Sequence, residues 1–194
     1  SFPPRSNDSV GVHRVPSSIQ ESRVQNIFKL FDQPEYVHIL LNHLPVTGLM
    51  VATITLIAAL IIQSRKATFL GLGLVAFFSL TAWPVAHFGH EGEDRVKSLL
   101  YSEGESWLEH HEHQAEDWVF LFYLTAAAAV ISSLLGLRKP KTLRISVPIT
   151  VLLAFSSLAA GAIIADSGGK IRHPEFRIGP PPEGDHAEEE SHDH

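Results

Sequence analysis

Four stretches of this chain contain no Asp, Glu, Lys or Arg: 36–64, 67–89, 118–137 and 145–165. Each offers about twenty largely apolar positions, the length an α-helix needs to cross about 30 Å of hydrocarbon at 1.5 Å per residue. Core helices of soluble domains are usually shorter and keep a polar face. These stretches keep none. The expected fold is therefore an all-α integral membrane protein, a four-transmembrane-helix up-down bundle with spans at about 40–63, 67–89, 117–137 and 145–166.

The loops set an expected orientation. Arg65 and Lys66 lie between the first two spans, and Arg138, Lys139, Lys141 and Arg144 between the last two, with no acidic residue in either turn. All 21 Asp and Glu and all 12 His fall at or beyond the opposite ends. The positive-inside rule then places both short turns in the cytoplasm. Both termini and the 90–117 loop become extracytoplasmic. An exported N-terminus would suit a signal peptide removed before Ser1. Cysteine is absent, which excludes thiolate metal sites and a cysteine nucleophile. The net charge of −6 argues against nucleic acid as a partner.

Outside the spans, 1–16 is a polar, proline-containing arm expected to be loose. In 17–33, Ser18 and Glu21 form a capping box, and Val24, Ile27, Phe28 and Phe31 follow at helical spacing. This predicts an extracytoplasmic amphipathic helix lying on the outer membrane surface or on the bundle. The 90–117 loop carries a helical signal of its own. Trp107, Leu108, His111, Ala115 and Trp118 form one stripe, so the third helix should start well before the hydrocarbon, with His111 facing inward and both tryptophans in the interfacial belt. Gly168 and Gly169 are expected to break the fourth helix. The tail at 177–194, Pro-rich and then acidic and His-rich, has the composition of disorder. The two hairpins share a charge layout, but the residues alone assert no internal repeat.

Every outer span end carries histidine: His38 and His43, His87 and His90, His110, His111 and His113, and His173. Packing the spans as a bundle gathers these ends within roughly 10 Å of their neighbours. Neutral imidazole is a common metal ligand, and histidines on facing helices can hold a haem iron from both sides. His38 and His43 stand about 140° apart on a helix, so one inward and one sideways is the expected arrangement. Histidines at a membrane interface can also simply sit among headgroups. Glu35 with His38 matches the Glu-x-x-His unit of di-iron carboxylate bundles, but without an assured set of partner carboxylates. The stretch 110–116, HHEHQAE, lacks the histidine spacing of a zinc protease, and no P-loop, dinucleotide fingerprint or nucleophile elbow occurs.

The segment 38–45, HILLNHLP, resembles an uncharacterised bacterial family of four-helix inner-membrane proteins, domain of unknown function 2231. That family opens its first span with a His-Pro-x-x-x-His-Phe-Pro type sequence. His38, His43 and Pro45 match it, while Ile39 and Leu44 replace the proline and the phenylalanine. Ala86 to Gly89 and His111 are candidates for its small-residue second span and its histidine before the third. The stretch from Gly168 to Glu175, GGKIRHPE, resembles a closing segment of related proteins. Covering 36–176, the resemblance implies a topology and a bacterial inner membrane. It implies no reaction.

Three functions follow from these readings. The first is electron transfer at the outer face by a bound haem b, with His43, His87 and His111 as axial candidates, His38 and His173 next, and Arg172 beside a propionate. Its partners would be an extracytoplasmic redox protein, a quinone or a larger respiratory complex. The second is binding of Zn, Cu or Fe without a porphyrin, through His90, His110, His113, Glu112 and Glu35; one methionine and no cysteine argue against a Cu(I) route. The third is a non-catalytic accessory subunit of a larger membrane complex. A stand-alone enzyme is the weaker expectation.

Overall fold

A computed structural model describes residues 29–179. The arm, most of the 17–33 segment and the tail beyond 179 lie outside them, so those readings have no structural counterpart here. The described residues are helical, without a strand among them. In chain order the helices are α1 (Pro34–Leu41), a π-helical turn (Leu44–Gly48), α2 (Leu49–Ile62), α3 (Arg65–Leu80), α4 (Ala82–Lys97), α5 (Ser102–Arg138), a 3₁₀ turn (Pro140–Thr142), α6 (Leu143–Arg172) and a last 3₁₀ turn (Pro174–Phe176).

These elements join into four rods long and apolar enough to cross a membrane: Pro34–Ile62, Arg65–Lys97, Glu103–Arg138 and Pro140–Arg172. Between 28% and 33% of each apolar window is buried within the chain. The remaining apolar surface, including Ile61, Ile62, Leu70, Ile145 and Leu152, faces outward. Such a surface suits lipid, not water.

Proline explains why the first two rods are interrupted. Its ring clashes with the carbonyl four residues back and removes a backbone donor. α1 ends at Leu41, four residues before Pro45, and α3 ends at Leu80, four before Pro84. α2 stops at Gln63, whose φ of 57° is left-handed. Ser64 then caps α3 by accepting a bond from the Ala67 amide.

Small and hydroxylated residues let the rods approach closely. A Cβ on Gly71 of α3 would lie 2.9 Å from the Leu56 backbone of α2. Thr125 of α5 hydrogen-bonds Ser157 of α6 at 2.8 Å, and Ser132 bonds Thr150 at 3.0 Å. The numbers rise on one helix as they fall on the other, so α5 and α6 run antiparallel with contacts one heptad apart. At the same end as the basic turns, Arg65 donates to the Gly136 carbonyl at 3.1 Å, against the C-terminal end of α5.

The two hairpins repeat one another. The shift in numbering that takes His38 to His111 also takes Leu49, Ala52, Thr53, Leu56 and Ala59 to Phe122, Thr125, Ala126, Ala129 and Ser132. All ten are buried. The same shift superposes Arg65–Lys66 on Arg138–Lys139. A second shift, longer by the residues of the basic turn, takes Thr68, Gly71, Val75 and Ala82 to Val147, Thr150, Ala154 and Gly161, again all buried. The chain thus contains an internal structural repeat that its residue identities hide.

Two expectations are corrected. The helical signal in the second half of 90–117 is met by α5, which starts as early as Ser102, but the first half is no loop either: α4 continues to Lys97, leaving only a short link. Gly168 and Gly169 do not break the fourth helix, which continues to Arg172. There Arg177 stops it, donating from Nε to the Lys170 carbonyl and from Nη2 to that of Ile171.

Candidate functional site

The site begins with one local device used twice. His38 of α1 donates its Nδ1–H to the Val85 carbonyl of α4 at 2.8 Å. His111 of α5 donates its Nδ1–H to the Ile164 carbonyl of α6 at 2.9 Å, with Ser167 Oγ 3.1 Å away. In each case a glycine stands four residues after the accepting carbonyl, one turn further along the same helix face. A Cβ on Gly89 would lie 2.9 Å from His38 Nδ1, and one on Gly168 3.1 Å from His111 Cε1. Any other residue there would push the imidazole away from the carbonyl.

This device has a chemical consequence. A carbonyl can only accept, so Nδ1 carries the proton in both rings and Nε2 keeps its lone pair. Metal-ligating histidines are held in this way, by a bond from the second ring nitrogen that fixes tautomer and orientation. Around this level four polar atoms are buried without a hydrogen-bond partner: Glu35 Oε2, Asn42 Oδ1, Trp107 Nε1 and Gln114 Oε1. Such atoms normally meet a partner, a water or an ion.

The other sequence candidates are placed differently. His43 is exposed. His87 is also exposed, stacked on Trp83 with centroids 5.5 Å apart and 3.5 Å from Glu91. His110 lies edge-on to Trp107, and His113 is exposed. His173 Nδ1 pairs with Glu175 at 2.9 Å, which holds that carboxyl below its ordinary range. Arg172 lines a cleft of about 480 Å³ with Leu99, Leu100, Tyr101 and Ile171. Glu35 Oε1 is taken by Arg95 at 3.0 Å. Trp107, expected in the interfacial belt, is 5% exposed with Lys170 over its ring, whereas Trp118 remains exposed.

A second group forms where α4 and α5 run past their apolar windows. His90 Nδ1 is 3.4 Å from Glu112 Oε1 and 3.8 Å from Glu93 Oε2. His90 and Glu112 are among the sequence candidates and Glu93 is not, although His90 and Glu93 stand one helical turn apart in the chain. Ser167 is not among them either, and Gly89 is singled out only as a small residue of the second span. No signal in the chain marks the Val85 and Ile164 carbonyls as imidazole acceptors.

The fold and the site together define a four-helix protein of membrane-spanning dimensions with anchored histidines at one end. No protein-family model, no curated protein and no solved structure matches the chain.

Proposed function

We propose that this protein is a multi-pass protein of a bacterial inner membrane that binds iron as haem b between His38 and His111 and carries electrons at its outer face. The observation that carries the reading is the duplicated anchor. Each half of the repeat holds one imidazole by Nδ1 against a helix carbonyl, with no hydrogen bond to Nε2 among the described residues. Two neutral imidazoles from separate helices are a donor set suited to a six-coordinate haem iron. The bound group would supply one-electron chemistry. The chain would supply ligand orientation and a low-dielectric wall.

The membrane assignment rests on the four apolar rods and their outward-facing side chains. Positive-inside bias supports an up-down arrangement with the Arg65–Lys66 and Arg138–Arg144 turns in the cytoplasm. The resemblance of 38–45 to the uncharacterised four-helix family supports the same compartment. A haem at that end would exchange electrons with an extracytoplasmic redox protein or with quinol.

The test is an absorbance spectrum of the detergent-purified chain, from cells supplied with haem, before and after dithionite. Sharp reduced α and Soret bands are expected, and His38→Ala or His111→Ala should each abolish or shift them. A featureless spectrum from wild-type protein would sink the haem reading. Colourless protein with stoichiometric Zn, Cu or Fe, lost in both variants, would replace it with a metal held by the same imidazoles.

A further inference from the structure

We propose that His90, Glu93 and Glu112 form a separate binding site for a divalent cation of the zinc class, clamping α4 to α5 above the apolar windows. His90 and Glu93 come from one face of α4, and Glu112 comes from α5. One ligand atom from each lies within 4.8 Å of the other two. Zinc bonds to nitrogen and oxygen are about 2.0–2.2 Å long, so ligand atoms around a tetrahedral ion stand roughly 3.3–3.6 Å apart. The observed 3.4 and 3.8 Å from His90 Nδ1 to the two carboxylates come within a few tenths of an ångström of that spacing.

The carboxylates give an independent reason. Glu93 of α4 and Glu112 of α5 bring carboxylate oxygens within 4.8 Å of one another across two helices. Two ionised carboxylates this close repel, and a cation held between them relieves the repulsion. Lys97 sits on the far oxygen of Glu93, 2.6 Å from Oε1, leaving Oε2 to the His90 side. Among the described residues, Glu112 meets no lysine or arginine at ion-pair distance; its charge partner is His90.

The donor chemistry selects the cation. One imidazole and two carboxylates suit zinc, and a chain without cysteine disfavours Cu(I). Calcium requires six to eight oxygens, which these three residues do not supply. His90 is 79% exposed on its side chain, so the fourth coordination position opens to water.

The experiment is a zinc titration of the full chain in detergent, with Co²⁺ as the optical stand-in, on wild type, His90→Ala and Glu112→Gln. The acidic, His-rich stretch from 183 to 194 is present in all three and supplies a common background. The tightest equivalent of zinc should weaken by at least about tenfold in each variant. His90→Ala removes an exposed side chain and keeps the fold, so it reads the site even where Glu112→Gln perturbs packing. Unchanged zinc affinity in His90→Ala would overturn the proposal and move the binding elsewhere. His38→Ala and His111→Ala should leave this titration alone while changing the haem spectrum, so failure here and failure of the haem reading are told apart.

Discussion

A glycine next to an imidazole shows how little a residue means apart from its surroundings. In the linear chain Gly168 looks like a helix breaker, because glycine lowers helix propensity by about 1 kcal/mol. In the fold it is the one residue that lets His111 reach the Ile164 carbonyl. Gly168→Ala should therefore lower stability by about 1–3 kcal/mol through overpacking, despite the better helix propensity of alanine. The check is thermal unfolding in detergent together with the haem spectrum, which should lose intensity or shift. A more stable variant with an unchanged spectrum would contradict the packing role. Gln63 gives the opposite case. Its left-handed φ of 57° at the end of α2 is a conformation that glycine adopts freely. Gln63→Gly should raise stability by about 0.5–1 kcal/mol, seen as a higher unfolding midpoint.

Within elements, the contact between α5 and α6 runs on small residues and paired hydroxyls, not on large side chains. Thr125, Ala126, Ala129 and Ser132 face Thr150, Ala154, Ser157 and Gly161, all buried. In lipid there is no hydrophobic force between helices, so close backbone approach and interhelical hydrogen bonds hold them together. A double-mutant cycle of Thr125→Val and Ser157→Ala should report a coupling of about 0.6 kcal/mol, the average for such pairs in a membrane. Ser157→Leu should be far more disruptive, because its position has no exposed area to absorb the added volume. Unfolding in mixed micelles measures both. The apolar lengths of the four elements were legible in the chain. The early start of α5 was legible too, in the stripe from Trp107 to Trp118, but its extension back to Ser102 and that of α4 to Lys97 were not: Glu, His and Gly there break the hydrophobic period although the backbone stays helical, held in part by ion pairs such as Lys97–Glu93.

At the scale of the molecule, the orientation can be tested directly because the chain has no cysteine of its own. A membrane-impermeant thiol reagent should label Leu99→Cys in cells with an opened outer membrane, but Lys66→Cys and Lys141→Cys only after the inner membrane is permeabilised. The reverse pattern would invert the proposed topology. Length, apolarity and the one-sided placement of basic residues are additive properties of the chain. They could be counted in one dimension, and they yielded the four spans and the polar end where histidines gather. Which histidines work together could not be counted that way. His38, His43, His87 and His111 are equivalent as letters, yet among the described residues only His38 and His111 meet a carbonyl beside a glycine on another helix, and only His90 meets both Glu93 and Glu112. The internal repeat is hidden for the same reason. Burial was preserved at matching positions while side-chain identity was not, since a packed interface constrains volume and polarity and tolerates Leu49 in one half where Phe122 stands in the other. Hydropathy along the chain settled what could enter a membrane, and contacts between helices decided which side chains form a site.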